Sequence, residues 1–314
     1  MSVGSLMYPF GKGGSRSLPY LLLLPGLALY LLVALGPSLA TVVYSLTNTN
    51  GLTPAPLEFI GLANYQEFLF KGAAARQNID AVLRTVLFCV AVTFVQFTVG
   101  LLVAVLLNQR LRGTHLFRAL FFLPVILGVT IQGLMWRLFL YPLGGPMDVI
   151  FGTLGLRSEF LGGPPTEAFA WVTFVQIWAN MGVTMVIFLA GLQTVPDELI
   201  EAARIDGASS RQSFWHVTWP LITPSVTTNL ILCIIGSLQA WQLFLVLTAY
   251  RPGTQVMGYV VYAQAFGQTS GSTTANSFRQ GYGAAASVIL FLIVLVIGMT
   301  SLWILRRRER RLLG

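Results

Sequence analysis

The sequence predicts an all-α polytopic membrane protein with six transmembrane helices, on three observations. Of 314 residues, 55% are hydrophobic and only 10% charged. A soluble chain carries roughly 25% charged residues, so polar groups are too few here to cover a water-exposed surface. Six apolar runs each reach the roughly 20 residues that a helix needs to cross hydrocarbon. The basic residues lie mostly beside those runs, so the net charge of +8 reads as a topology signal rather than a nucleic-acid surface.

The runs are 20–44, 82–107, 116–140, 169–192, 221–247 and 284–305. Lipid offers no partner for backbone N–H and C=O, so helix is forced on each. Pro25, Pro37, Pro124 and Pro224 lie inside them and are expected to kink them. Lys12 and Arg16 precede the first run, and Ser38-Leu39-Ala40 resembles a cleavage site. That run exceeds the 7–15 apolar residues of a signal core, so an uncleaved span is expected.

Orientation follows from lysine and arginine. With the N-terminus inside, the inner segments hold twelve of the 19 basic residues and the outer loops seven. The bias is strongest at "RRRERR" (306–311), and an even number of spans puts both termini in the cytoplasm. The outer loops are then 47–81, 141–168 and 248–283, rich in Gly, Pro, Ser and Thr. The chain divides into a cytoplasmic segment 1–19, a six-helix membrane domain 20–305 with a cytoplasmic hairpin at 194–219, and a basic tail 306–314.

The hairpin reads "TVPDELIEAARIDGASSRQSFWHVTWP". Thr194 is placed to cap a helix, Pro196 suits its first turn, and Asp197 and Glu198 complement its N-terminal dipole. Gly207 is the natural stop, and a second short helix is expected over 210–218. Ala202, Ala203, Gly207 and Ala208 allow close backbone approach. Leu199 and Ile200 supply apolar anchors, and Glu201, Arg204 and Asp206 supply charge. Such a face suits a helix-in-groove docking element, or a membrane-surface helix filling space between spans.

Glu201, Ala202, Ala203, Asp206, Gly207, Ala208, Phe214 and Pro220 resemble, in type and spacing, the cytoplasmic signature of permease subunits of binding-protein-dependent ABC importers. "FIGLANYQEFL" (59–69), "FRALFFLPVILGVTIQGLMWRLFL" (117–140) and "GYGAAASVILFLI" (281–293) resemble motifs of the sugar branch, the maltose/glycerol-phosphate-type permeases. The resemblance spans about 20–308. It implies a type I ABC importer permease fold in a bacterial plasma membrane. It implies a heterodimer with a second permease, a pair of ABC ATPases and an extracytoplasmic solute-binding protein. The hairpin would be the coupling element, with Glu201, Ala202, Ala203, Asp206, Gly207 and Ala208 contacting the ATPase. The chain departs from the branch after the fifth span, where a glycine-rich turn is replaced by "TAYRPG" with Arg251 in it, followed by a long polar "GQTSGSTTANS".

A P-loop needs G-x-x-x-x-G-K-[ST]. Neither lysine, Lys12 or Lys71, stands in that pattern. The chain is therefore expected not to be an enzyme, to hold no cofactor, and to leave Mg-ATP to a partner ATPase. His115 and His216 lie in different loops near the cytoplasmic boundary, and Cys89 and Cys233 lie in apolar runs, so no metal or catalytic constellation is expected. The mid-span positions contain no Asp, Glu, Lys or Arg, unlike ion-coupled carriers. They do contain neutral polar groups at helical spacing: Gln132 with Trp136, Gln176 with Asn180, and Gln239 with Trp241 and Gln242, besides Asn229. Amides and aromatic rings suit a neutral di- or oligosaccharide, though buried Asn and Gln also serve as interhelical hydrogen-bond groups. The alternatives are a permease for glycerol phosphate or a polyol, and a stand-alone secondary carrier.

Overall fold

The structure, a computed structural model, describes residues 18–50, 57–109, 113–248, 251–267 and 278–313. The basic residues expected at 12, 16, 110 and 112, and the polar stretch 268–277, lie outside them. The described residues are almost wholly helical. Among the described residues four helices are long and apolar enough to cross a membrane, and two bent helix pairs bring the number to six if each crosses as one span.

The first span comprises α1 (Leu18–Leu29), a π-helical stretch (Tyr30–Leu35) and α2 (Gly36–Tyr44). Pro25 sits inside α1, and Pro37 follows the π turn. None of this span's apolar window is buried, and α2 packs on the last helix. Its C-terminal end is fastened by the short helix α3 (Ala63–Phe70). There the Asn64 side-chain amide donates to the carbonyls of Ser45 and Thr47, both at 2.9 Å, and the Tyr65 and Ser45 hydroxyls lie 2.6 Å apart. The "FIGLANYQEFL" stretch is thus a knot of hydrogen bonds holding the first span to the bundle.

The second span, α4 (Gly72–Asn108), begins ten residues earlier than its apolar run. Its added turns, "GAAARQNIDA", carry four alanines with Arg76 and Gln77, all good helix formers, and Asp80 and Arg84 pair at 3.6 Å one turn apart. The third run is not one helix. It is α5 (Thr114–Ile126) and α6 (Val129–Phe139), bent by 102°. Pro124 was expected to kink it, but Pro124 lies in the last turn of α5 and the bend falls at Leu127–Gly128, where the backbone becomes extended.

After α7 (Pro146–Thr153), the fourth span is the straight α8 (Pro165–Leu192). The hairpin follows as α9 (Asp197–Ile205), α10 (Ser210–Ser213), a π turn (Phe214–Thr218) and α11 (Trp219–Leu221). Pro224 opens α12 (Thr223–Leu238) rather than kinking a span, because the first turn has no N–H partner to lose. The 72° bend precedes it, and the run breaks again at Gln239–Ala240 before α13 (Trp241–Thr248). The expected outer loop 248–283 contains a further apolar helix, α14 (Met257–Phe266), whose first turn is buried and whose Met257 N–H donates to Thr85 Oγ1 at 2.9 Å. The chain ends in α15 (Gln280–Leu313).

Two of the three apolar clusters among the described residues lie along the bundle as layers, the third joining Phe68, Met257 and Tyr282. One, toward the hairpin end, joins Ala104 and Leu107 of α4 with Met185, Phe188 and Leu192 of α8 and Val226 of α12. The other, toward the opposite end, joins Phe88, Leu140, Phe160, Val172 and Val175 with Phe244 and Leu247 of α13. Helix α6 lies against α13 at Gly133, where a Cβ would stand 2.6 Å from a Val246 methyl. A side chain there would push the two helices apart.

Candidate functional site

A cavity of about 280 Å3 lies between the two layers. It is lined by Gln132, Gln176, Asn180, Gln239 and Gln242, with Leu127, Val129, Gly236 and Leu243 among its apolar neighbours. At 1.5 Å per residue, Gln176 and Asn180 stand about 20 Å from either end of α8, which is mid-depth. No Asp, Glu, Lys, Arg or His lines it.

Two of the three helix breaks, those at Leu127–Gly128 and Gln239–Ala240, border this cavity, and the bend at Ile222 does not. Leu127 of one and Gln239 and Ala240 of the other belong to its wall. Irregular backbone at membrane depth is tolerated where it is buried in protein or lines a water-filled cavity. The five amides differ in what they do. The Gln132 Nε2 donates to the carbonyls of Pro124 at 2.7 Å and Leu127 at 3.0 Å, so it pairs acceptors left at the end of α5. The Asn180 Nδ2 returns to the Gln176 carbonyl of its own helix at 3.0 Å. The side chains of Gln176, Gln239 and Gln242 make no hydrogen bond among the described residues, although they border the cavity.

The other three side chains expected on a path lie outside the cavity. Trp136 packs edge-on against Phe174 and Trp178, with its Nε1 buried and unpartnered. Trp241 stacks on Tyr262 of α14, with ring centroids 4.8 Å apart. Asn229 is 1% exposed and donates to the Thr184 carbonyl at 3.3 Å, and its Oδ1 has no partner. Beside it Gln96 donates to Thr184 Oγ1 at 2.9 Å. Here the interhelical role of buried amides describes the contacts. What separates these residues from the cavity amides is the neighbours their side chains pack on, and sequence spacing carries no information about those neighbours.

The hairpin is the second candidate. Thr194 does not cap α9: its hydroxyl donates back to the Gly191 carbonyl at 2.8 Å, and Pro196 occupies the cap position. Gly207 has φ +81°, the left-handed region that favours glycine. The Ala208 N–H reaches the Ala203 carbonyl at 2.9 Å and the Gly207 N–H reaches Arg204 at 3.0 Å, the paired bonds of a Schellman stop. The second helix starts from a capping box between Ser209 and Gln212. Glu201, Ala202, Arg204, Asp206 and Gly207 are exposed, and Ala203 and Ala208 are half-buried. Ile200 packs onto the apolar layer beneath, whereas Leu199 is exposed. Ile205, 87% exposed, is the larger free apolar group, and a helical wheel of α9 would have shown it opposite Ile200. His216 is exposed and bonds the Gln212 carbonyl at 2.9 Å. Among the described residues no cluster of His, Cys, Asp or Glu could hold a metal ion.

At the end of the bundle opposite the hairpin, Arg279 forms a 2.6 Å ion pair with Glu67 and lies 4.3 Å above the Tyr282 ring. The hydrogen bond from Arg279 holds the Glu67 carboxyl below the usual carboxylate range, against a smaller opposing effect of burial.

Residues 79–314 match the family model described as binding-protein-dependent transport system inner membrane component. The chain is 30% identical over 279 residues to the multiple sugar-binding transport system permease protein MsmF of Streptococcus mutans, covering 87% of this chain and 90% of that protein. It is 31% identical over 300 residues to the trehalose/maltose transport system permease protein MalF of Thermococcus litoralis, covering 96% and 97% respectively. Its fold is similar to a chain of the crystal structure of a bacterial alginate ABC transporter in complex with a pentasaccharide-bound periplasmic protein. The TM-score is 0.78 at 21% identity, over 93% of this chain and 95% of that one. The protein is therefore a multi-pass membrane component of a binding-protein-dependent transport system, and it belongs to that inner membrane permease family.

Proposed function

We propose that this chain is one of two permease subunits of an ATP-driven importer, and that it forms part of the path for an uncharged di- or oligosaccharide. The observation that carries the reading is the mid-depth cavity, bordered by two helix breaks and presenting three uncommitted amides with no charged group. Amide N–H and C=O groups match sugar hydroxyls, and the apolar wall at Val129 and Leu243 matches the C–H faces of a pyranose. An anionic solute would leave a charge unpaired at this depth, at several kcal/mol. The names of MsmF and the trehalose/maltose MalF support a saccharide.

The hairpin is the handle for a partner ATPase pair, which binds Mg-ATP. Glu201, Ala202, Ala203, Asp206, Gly207 and Ala208 form the contact, with Ile205 as its apolar anchor. The exposed apolar knob beside small residues on a short rigid helix supports this. The hairpin, the segment 1–19 and the tail 306–314 then face the cytoplasm of a bacterial cell, and an extracytoplasmic binding protein docks at the opposite end. Reconstitution with the second permease, the ATPase and the binding protein tests the substrate class. A neutral oligosaccharide should stimulate ATP hydrolysis. Stimulation by glycerol phosphate or another anion, with none by neutral sugars, would overturn the reading.

A further inference from the structure

Arg251 is the residue by which the sequence departs from its branch, and it has specific partners. Its guanidinium donates to three consecutive backbone carbonyls, those of Leu161, Gly162 (2.9 Å) and Gly163, in the loop that leads into α8. Guanidinium is a donor-only group with a rigid fork, permanently charged, and a row of carbonyls satisfies it without a carboxylate. The loop is gripped from its other side as well. The Glu167 carboxylate accepts from the Phe160 N–H at 3.0 Å and from the Ser158 hydroxyl. Phe160 itself has φ +49° while its side chain is fully buried in the apolar layer beyond the cavity. A non-glycine residue in that region is strained, and it persists where its surroundings over-determine it.

The other end of this contact is α13. The Arg251 N–H returns to the Thr248 carbonyl at 3.3 Å, so the arginine is tied to the last turn of that helix. At eight residues, α13 is about 12 Å long. Its first turn carries Gln242 into the cavity, and the break before it carries Gln239. One short rigid helix therefore runs from the cavity amides to the Arg251 contact. The chain turns at Gln239–Ala240, so α13 is a helix separate from α12, seated by Phe244 and Leu247 in the apolar layer and held at its far end by the Arg251 contact.

We propose that Arg251 is a positioning residue. With the 158–164 loop it forms a latch that holds α13, and hence the amides of Gln239 and Gln242, in register across the cavity. Its importance for transport rests on reading the cavity as the sugar path, whereas the latch itself is a statement of geometry. Hydrogen–deuterium exchange on the purified full chain in lipid nanodiscs tests the latch without any ligand. Arg251→Ala should speed exchange in 158–164 and, through the lever, in 239–248, each by about ten- to a hundredfold, the worth of a lost charge-assisted hydrogen bond. Exchange in 88–104 and 176–192 should stay unchanged. A rise confined to 158–164 would show that the loop loosens without releasing α13, and a uniform rise would show general destabilisation. Either result overturns the latch. Arg251→Lys guards against a variant that fails to insert. An ammonium has no fork to span the row of carbonyls, so intermediate exchange in 239–248 is expected, and wild-type exchange there also overturns it. Failure of the sugar reading would show instead in the substrate assays, with this exchange pattern intact.

Discussion

Replacing Gln132 with leucine separates the two roles that an intramembrane amide can have. Gln132 is 7% exposed and donates two hydrogen bonds, at 2.7 and 3.0 Å, to the carbonyls left by the α5–α6 break. Leucine of similar length would fill its space and satisfy neither acceptor. At about 0.6–1.5 kcal/mol for each bond, the loss is about 1–3 kcal/mol, a fall of several degrees in the unfolding midpoint. Gln242→Leu removes an amide that makes no hydrogen bond among the described residues, so its midpoint should stay at the wild-type value while transport falls. Size-exclusion profiles of the detergent-solubilised chain after heating measure both midpoints in parallel. Equal midpoints for the two variants, or a stable Gln132→Leu, would refute the division of labour drawn from these contacts.

Single alanines at Gln176, Gln239 or Gln242 should each slow transport about two- to tenfold, the worth of one hydrogen bond to a neutral group, with assembly intact by co-purification. Gly207→Leu forces a side chain into φ +81° and should leave the subunit inserted, while ATPase pull-down and ATPase stimulation fall; normal values for both would remove the hairpin as the coupling element. In a background lacking Cys89 and Cys233, single cysteines replacing Ser210 and Arg157 should react with an impermeant maleimide from opposite faces of the membrane, and labelling of Ser210→Cys from outside contradicts the topology. Since the Glu67 carboxyl is held below its usual range by Arg279, its contribution to stability is complete above the ordinary carboxylate pKa and disappears as pH falls through the lowered folded value. Glu67→Gln should therefore lower the unfolding midpoint at neutral pH and flatten its fall between about pH 5 and 3; an unchanged acid profile would count against the ion pair.

Apolar runs and basic residues made six spans legible, because length and hydropathy are what the bilayer selects. They did not reveal the breaks. Pro124 and Pro224 are conspicuous, yet the bends fall at Leu127–Gly128 and at Ile222, where tertiary packing decides which carbonyls are left free. The hairpin was legible down to its glycine, since a left-handed stop has few chemical solutions. Of the two apolar groups expected on its outer face, Leu199 is exposed while Ile200 packs inward, and Ile205 is the most exposed of the three. Five of the eight polar positions singled out along the spans do border one cavity. The two tryptophans share the helical spacing of the amides, and Asn229 is polar like them, but all three are committed to ring packing or an interhelical bond, a difference that lies in neighbours distant along the chain. Arg251 was visible as an oddity, but its three carbonyl partners lie some ninety residues away.

The central claim is that the cavity between the two breaks is occupied by a saccharide during transport. It is tested most directly by substrate protection of Gln242→Cys, in a background lacking Cys89 and Cys233, in the assembled transporter. The rate of modification by a charged, water-soluble methanethiosulfonate is measured with and without the neutral oligosaccharide that stimulates ATP hydrolysis, delivered by its binding protein. Reaction without sugar, slowed about tenfold or more when sugar occupies the amides, is the result expected. Equal rates with and without sugar, under conditions where ATP hydrolysis is stimulated, would contradict the account.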